Sequence, residues 1–332
     1  MPRRTVPRAV RRPAVQLTAA AVTLLGLLLW WVVPGGGTTV RGDVTFATGV
    51  PTGVYARYGT LLKQRLARDL PHVRVRLEPS QGSLQNIDMA VSGKADFTIA
   101  QADAVAAYLR DGGKDADRLR AVARLYDDYM QLVVPADSPV RSAADLAGLR
   151  VGMGEPRSGV SLVAGRLLQA AGLDRDKDVV EVPEGIDRMP GLLQRGELDA
   201  FFWSGGLPTT AVEQLADRME IRLVPLGDLM PKLHEVEPLA RAYRSAVMPA
   251  DAYPAIQHGE PVRTVAVANL LVTTDRTDAA LTEAVTRSVI NSRDQIGNEV
   301  HAAQKVDLRT AIYTDPLPLH TGAARYYREV KP

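Results

Sequence analysis

The chain has 332 residues, 46% of them hydrophobic and 23% charged, which allows one large or two medium folded domains. It contains no cysteine, which excludes disulfides, thiolate chemistry, zinc–sulfur sites and a lipid-modified cysteine. The formal charge of +2 resides in the first 42 residues, since the remainder carries 34 basic and 38 acidic side chains, and such a mildly acidic body argues against nucleic acid as a partner.

The N-terminal segment predicts a membrane anchor. Five arginines precede a run without charged residues from residue 14 to about 40, and its apolar core covers residues 17–33. About 17 residues can just span a bilayer as a helix, and Trp30 and Trp31 suit its interface. We expect residues 1–42 to form a cytoplasmic basic tail, an anchor at about 14–34 and a linker, with the body outside. A cleaved signal peptide is the alternative, although residues 34–39 offer no convincing cleavage site.

The body begins with a strand, a polar loop and a helix. Residues 43–47 have strand composition, residues 48–54 form a Gly/Thr-rich loop, and helical spacing begins at Tyr55. Two more strands, at 73–77 and 97–100, also lead through turns into helices. A helix that begins after such a loop presents unpaired N–H groups, which favour a carboxylate or another anion.

The same order recurs about 100 residues later in the chain. Strands are predicted at 149–153, 178–182 and 200–203, with loops at 154–159 and 204–208. Asp96 and Asp199 each stand three residues after a glycine, and each precedes a strand that contains an aromatic residue. Two similar α/β halves predict two lobes with a cleft between them, and loops at one edge of each sheet would face that cleft.

Two longer strand patterns are interpreted as the crossings between the lobes. They cover residues 124–134 and 262–272. We therefore expect lobe 1 to comprise residues 43–134 plus 265–332 and lobe 2 to comprise residues 135–264. A helix at about 278–291 would pack back on lobe 1, and connections this short favour hinge closure over independent domains.

No catalytic, metal-binding or cofactor-binding motif is present. The five histidines are scattered, and there is no G-x-S-x-G elbow, Walker loop or dinucleotide fingerprint, so no metal and no cofactor is expected. Asp127 and Asp128 are adjacent and would point to opposite faces of a strand, which predicts one solvated and one capped carboxylate rather than a working pair.

Three other side chains have two readings each. Arg57 or Arg157 could form a forked contact with a ligand carboxylate, although each is more often simply solvated. Trp203 is the only tryptophan in the body, and it either packs in the core or forms a pocket wall.

The ordered motifs of the body resemble those of the TAXI-type solute receptors of tripartite ATP-independent periplasmic (TRAP) transporters. The resemblance covers about residues 43–290, and the stretches that carry it are Ala47-Thr48-Gly49, Thr52-Gly53-Val54-Tyr55, Gln81-Gly82-Ser83 with Asn86, Gly93-Lys94-Ala95-Asp96 with Gln101 and Asp103, Ser158-Gly159, Asp199-Ala200-Phe201-Phe202, Gly205-Gly206 with Pro208, and Tyr253. The family more often has a second glycine in the first loop, where this chain has Val50-Pro51.

The resemblance implies a type II periplasmic-binding-protein-like α/β fold, with two lobes joined by two hinge strands and a ligand cleft between them. It also implies a role without catalysis, in which a small organic acid or amino acid is presented to TRAP membrane permease subunits. By this resemblance, ligand contacts would fall on Thr48, Gly49, Thr52, Gly53, Tyr55, Ser83, Asn86, Gln101, Ser158, Gly159, Trp203 and Gly206.

The sequence therefore predicts a monomeric extracytoplasmic solute-binding protein, anchored by its N-terminal helix or secreted if that helix is cleaved. Glutamate-like amino acids or dicarboxylates are the expected ligands. One alternative is a stand-alone sensor or accessory binder of the same fold. A less favoured alternative is an extracytoplasmic enzyme with Asp103 or Asp127 as its base.

Overall fold

The computed structural model of the protein describes residues 40–236, 242–300 and 307–330. The predicted anchor at about 14–34 lies outside the described residues. No helix within the described residues combines the length and the apolar character that crossing a bilayer requires.

The described residues form α-helices around one mixed β-sheet. The strands are β1 Gly42–Ala47, β2 Val73–Glu78, β3 Phe97–Gln101, β4 Leu119–Pro135, β5 Arg150–Gly152, β6 Val180–Val182, β7 Ala200–Gly205, β8 Ile221–Val224, β9 Tyr243–Met248 and β10 Val262–Thr274. The helices are α1 Val54–Asp69, α2 Ser83–Val91, α3 Ala102–Arg110, α4 Gly159–Ala170, α5 Met189–Gln194, α6 Thr210–Ala216, α7 Met230–Val236, α8 Pro254–Gln257, α9 Ala279–Asn291, α10 Arg293–Gly297 and α11 Thr321–Val330.

The sheet contains two parallel groups of strands joined by two antiparallel strands. Its order is β2-β1-β3-β10-β4-β7-β5-β6, with β8 paired to β4 and β9 paired to β10. Strand β1 is parallel to β2 and β3, whereas β5 is parallel to β6 and β7. We call β1–β3 with α1–α3 the first lobe, and β5–β7 with α4–α6 the second lobe.

Strands β4 and β10 run from one lobe into the other. They contain 17 and 13 residues, which corresponds to about 55 Å and about 43 Å of extended chain. The first half of β4 pairs with β10, and its last residues pair with β7 and β8. Strand β4 begins at Leu119, five residues before the predicted start, because residues 119–123 still pair with the end of β10.

The repeated Gly-x-x-Asp pattern has the same structural role in both lobes. The Asp96 carboxylate accepts the N–H of Thr45 at 2.7 Å, and its own N–H donates to the Thr45 carbonyl at 2.8 Å. Asp199 makes the same two bonds with Arg150, at 2.8 and 2.9 Å. Each aspartate thus joins the start of β3 or β7 to the neighbouring parallel strand, which fixes the register of that lobe.

Each lobe has its own hydrophobic core. Buried Phe46 and Tyr58 belong to the core of the first lobe, which also takes in Val289 of α9. The core of the second lobe includes Leu167 of α4 and Phe202 of β7. Because each helix covers its own strand group, the loops at the carboxyl ends of the strands remain free to meet between the lobes.

Candidate ligand-binding site

A cavity of about 520 Å³ lies between the two lobes. Its walls are the loops that follow β1, β2 and β5, together with the carboxyl ends of β3 and β7 and one residue of β4. This is the position at which open α/β sheets present their helix N-termini.

Two helix N-termini, one from each lobe, are directed at the cavity. In α1 the N–H groups of Val54 and Tyr55 have no acceptor among the described residues, and Gly53 has no side chain to cap them. In α4 the Ser158 hydroxyl caps only the N–H of Ser161 and leaves that of Val160 unpaired. Such paired helix starts favour a negatively charged group between them.

The two lobes touch at the rim of this cavity. The N–H groups of Leu84 and Gln85 donate to the Arg157 carbonyl at 3.1 and 3.3 Å. Gly82 has a φ of +129°, and a Cβ there would lie 3.2 Å from the Ser158 Cα, so a side chain would disturb both the turn and the contact. The Arg157 side chain pairs with Asp88 across the same junction.

A hydrogen-bonded chain lines the first-lobe side of the cavity. The backbone N–H of Gln101 donates to the Ser83 hydroxyl at 3.1 Å, and that hydroxyl lies 3.1 Å from the Tyr55 oxygen. The Tyr55 hydroxyl in turn donates to the Asn269 side-chain oxygen at 2.5 Å. Because Tyr55 has a single proton and gives it to Asn269, Ser83 must donate to Tyr55. The chain thus fixes the side chains of Ser83, Tyr55 and Asn269 at one end of the cavity.

Asp128 is the charged residue at that end. Its carboxylate is 2% exposed and accepts one bond, from the Gln101 amide nitrogen at 2.9 Å. The same nitrogen donates to the Ser204 hydroxyl of the second lobe at 2.6 Å. Burial raises the pKa of Asp128 to about 6, although the neighbouring amides of Asn269 and Gln101 oppose the shift.

Several polar atoms at this end of the cavity have no hydrogen-bond partner within the described part of the chain. Gln101 Oε1 and Asp128 Oδ1 belong to residues of the cavity wall, whereas Asn269 Nδ2 and the Tyr126 hydroxyl belong to residues behind it. Buried polar atoms are paired in most proteins, so a cluster of unpaired ones indicates a place that a polar partner fills.

A second buried carboxylate joins the lobes behind the cavity. Asp103 of α3 lies 3.3 Å from the guanidinium of Arg166 on α4 and accepts a hydrogen bond from the Tyr243 hydroxyl at 2.6 Å. Asp103 is fully buried and Arg166 is 6% exposed. Burial raises the pKa of Asp103, while Arg166 and Tyr243 favour its charged form.

The charges that line the cavity are acidic. Asp128 and Glu155 are both in its walls, and within the described residues no lysine, arginine or histidine is. The predicted forked contact from Arg57 or Arg157 is therefore not found in this cavity. Arg57 is exposed and forms an ion pair with Glu299, and Arg157 forms an ion pair with Asp88.

The structure brings most of the predicted contact residues together. Those that line the cavity are Gly49, Gly53, Tyr55, Ser83, Gln101, Ser158, Gly159 and Trp203. Thr52 and Gly206 instead line an outer pocket of about 940 Å³, which shares Trp203 with the cavity. The Trp203 ring thus forms a wall between the two, held by its N–H bond to Thr209 at 3.2 Å.

Thr48 and Asn86 lie behind the cavity wall. The Asn86 amide donates to the carbonyls of Thr48 and Ile99 at 2.5 and 2.8 Å, and the Thr48 hydroxyl donates to the Glu78 carbonyl. Both side chains are buried. They hold the first loop against β3 rather than facing the cavity.

Several lining residues were not among the predicted contacts, and three of them have polar side chains close to Gln101 or the start of α4. Asp128, Glu155 and Ser204 stand in the cavity wall. Adjacent strand residues point to opposite faces, so one of Asp127 and Asp128 had to face inward, and this signal was available in the sequence. Asp127 is the outward one and pairs with Arg124 at 2.7 Å and with Arg244. Asp103 and Asp127, the two bases named for an enzyme, are both ion-paired and neither lines the cavity.

Comparisons with known proteins agree with this architecture. Residues 46–330 match the model of the NMT1-like family. The alkanesulfonate-binding protein SsuA from Xanthomonas axonopodis pv. citri, bound to MOPS, is similar at 15% identity over 87% of this chain and 84% of that chain, with a TM-score of 0.51. A protein from Bordetella bronchiseptica RB50 is similar at 18% identity over 88% and 90% of the two chains, with a TM-score of 0.51. The likeness confirms the predicted fold class, a two-lobed α/β fold of the periplasmic-binding-protein type.

Proposed function

The chain belongs to the NMT1-like family, and from this premise we propose that it is an extracytoplasmic solute-binding protein. It captures a small carboxylate-bearing solute, an amino acid such as glutamate or a dicarboxylate, and delivers it to a TRAP-type transporter. The observation that carries this proposal is the pair of opposed helix N-termini, from α1 and α4, at one cavity between the lobes.

The contacts between the lobes support capture by closure. Leu84, Gln85 and Arg157 bond across the rim, and Gln101 reaches Ser204 at 2.6 Å. A solute between the lobes would be enclosed on both sides, and its binding would shift the hinge equilibrium toward this closed arrangement. Binding and release require no chemistry, so the protein works without a catalytic group.

The transporter class rests on the order of motifs in the sequence. The TAXI-like stretches supply five of the predicted contacts at the first-lobe wall, from Gly49 to Gln101, and two more at the start of α4. A TRAP-type permease is therefore the proposed partner, and the N-terminal apolar segment is the proposed tether that keeps a monomeric body at the membrane.

The proposal is tested with the full-length chain. Native mass spectrometry of the purified protein first identifies any retained solute. Titration calorimetry then measures a panel of amino acids, dicarboxylates, monocarboxylates and alkanesulfonates, the last because SsuA binds that class. We expect at least one carboxylate to bind with a dissociation constant in the micromolar range or below.

The variant that tests the start of α4 is Ser158→Ala, which removes the hydroxyl that caps the Ser161 N–H and donates to the Glu155 carbonyl. We expect it to weaken binding of the carboxylate by about tenfold, because the loss of an N-cap disturbs the helix start that faces the solute. Binding restricted to sulfonates, or no binding by a folded protein, would refute the carboxylate assignment. Turnover of the bound solute would refute the role without chemistry.

A further inference from the structure

We propose that Asp128 and Gln101 form a cation-selecting subsite, which admits solutes with a protonated amine and rejects those with a second carboxylate in that position. This inference rests on the proposed function, because it concerns the same cavity and narrows the solutes that it accepts. Asp128 Oδ1 and Gln101 Oε1 are two buried acceptors that accept no hydrogen bond within the described residues, although the Asn269 amide is a neighbour of Asp128. Both residues line the cavity.

The two acceptors are neighbours in a rigid arrangement. The Gln101 amide nitrogen donates to Asp128 at 2.9 Å and to Ser204 at 2.6 Å, which uses both of its protons. The amide can therefore offer only its oxygen to a solute. The Asp128 carboxylate can offer only acceptors as well while it is ionised. A group that satisfies both must be a donor with more than one proton.

The charge of the site favours an ammonium over a neutral donor. No basic side chain of the described residues pairs with Asp128, and Glu155 adds a second carboxylate to the same walls. A buried carboxylate without a counter-ion is costly, and a cationic solute would remove that cost upon binding. Within the described residues no cluster of three or more acidic or histidine side chains is suited to hold a metal ion, so a metal is the weaker reading.

The cavity thus offers two kinds of contact. The free N–H groups at the starts of α1 and α4 favour a carboxylate. The Asp128 and Gln101 oxygens favour a donor, and the Asn269 amide and the Tyr126 hydroxyl are unpaired donors close to Asp128. A solute with a carboxylate and an ammonium can use both kinds of contact, whereas a dicarboxylate places a negative charge against Asp128.

The experiment compares solutes that differ only in the amine. Titration calorimetry on the full-length chain would use glutamate against glutarate, aspartate against succinate, leucine against 4-methylpentanoate and alanine against propionate. In each pair for which binding is detected, we expect the amine-bearing solute to bind at least about 100-fold more tightly than its partner. A site built to accept hydrogen bonds from a donor rejects the analogue that lacks this donor. Equal affinity within the binding pairs would overturn the subsite while leaving the proposed function intact.

The decisive variants are Asp128→Asn and Asp127→Asn. The first keeps the shape and an acceptor for Gln101 but removes the charge, and we expect it to reduce the discrimination within a pair to less than about tenfold. The second removes an equivalent charge on the opposite face of β4, outside the cavity, and we expect it to keep the full ratio. Unchanged discrimination in Asp128→Asn would overturn the proposal. Binding of neither member of any pair would refute the proposed function and this inference together.

Discussion

Asp127 and Asp128 are neighbours on β4 with opposite surroundings. Asp127 is held by two arginines, Arg124 and Arg244, whereas Asp128 faces the cavity and has one amide donor. At the residue scale, the ion-paired Asp127 carboxylate therefore stabilises the fold. The buried Asp128 carboxylate destabilises the fold and is available to a ligand.

We expect Asp128→Asn to stabilise the protein at neutral pH. The pKa of Asp128 rises from 3.8 to about 6 on folding, so its contribution to stability is complete below pH 3.8 and is lost as the pH rises through 6. The shift corresponds to about 3 kcal/mol, which the asparagine would recover at pH 7.5 and not at pH 4. Urea unfolding at both pH values measures this. Asp127→Asn should instead lower the stability, because it leaves two arginines unpaired.

We expect the affinity for an amine-bearing solute to rise with pH and to level off above about 6. The bound ammonium favours the ionised form of Asp128, so binding must displace a proton below that pH. The groups that face Asp128 are Asp103, Tyr55 and Tyr126, and none of them competes with the solute as a cation, because carboxyl and phenol groups carry no positive charge in either protonation state. Glu155 is also acidic. Calorimetry from pH 4.5 to 8 checks the profile, and a flat one would contradict it.

At the element scale, the start of α4 is shaped by its contact with the opposite lobe. A Cβ on Gly159 would overlap the Gln101 amide, which the closed arrangement places against that helix. Gly165, two turns further along α4, meets nothing nearer than the Arg175 guanidinium at 3.4 Å. A substitution at Gly159 therefore tests the contact between the lobes, whereas a substitution at Gly165 tests only the helix itself.

We expect Gly159→Ala to fold normally and to lose at least about tenfold in solute affinity, because closure would press the new methyl group on Gln101. Gly165→Ala should keep the affinity and gain about 0.5–1 kcal/mol of stability, as alanine replaces glycine inside a helix. Calorimetry and urea unfolding of both variants provide the measurement. An unchanged affinity in Gly159→Ala would show that the lobes need not meet there.

The buried ion pair between α3 and α4 should behave as a coupled unit. Arg166→Met leaves Asp103 buried beside Tyr243 without its cation, and such losses cost about 3–5 kcal/mol. We expect the double variant with Asp103→Asn to lose less than the sum of the two single variants, by about 1–3 kcal/mol. A cycle of urea unfolding measurements tests this, and strict additivity would contradict it.

The strands and helices could be predicted from the sequence more completely than the residues of the candidate site. Period-2 and helical patterns located the strands and the helix starts, and the loops after them converge as the parallel order requires. Arg157 was offered as a ligand contact because the sequence does not show that its side chain pairs with Asp88 of the other lobe. Asp127 and Asp128 were predicted to be one solvated and one capped carboxylate, because the sequence does not show that a cavity lies on one side of their strand. Both depend on pairings distant in sequence.

At the scale of the whole molecule, one sheet connects both lobes. Strands β4 and β10 pair with each other and with strands of each lobe, and residues of β4 belong to both cores. Neither lobe can unfold without breaking part of the strand pairing of β4 and β10. The lobes can therefore move relative to each other at the hinge, but the stability of each depends on the other.

We expect the body to unfold in a single cooperative transition. Because β4 and β10 are shared, loss of one lobe exposes half of the strands that support the other. Differential scanning calorimetry should give one peak, with a van't Hoff enthalpy close to the calorimetric one. Two resolved peaks would indicate that the lobes unfold separately.

The Arg157 carbonyl has a consequence for how long a solute stays bound. It occupies the start of α2, where the N–H groups of Leu84 and Gln85 would otherwise be free to donate to a ligand anion. The protein thus supplies its own acceptor there, and no atom of a solute takes part in these bonds. Closure therefore has a driving force of its own, which slows escape of a captured solute and also obstructs the way in. A membrane partner would therefore have to accelerate the release of the solute rather than its binding.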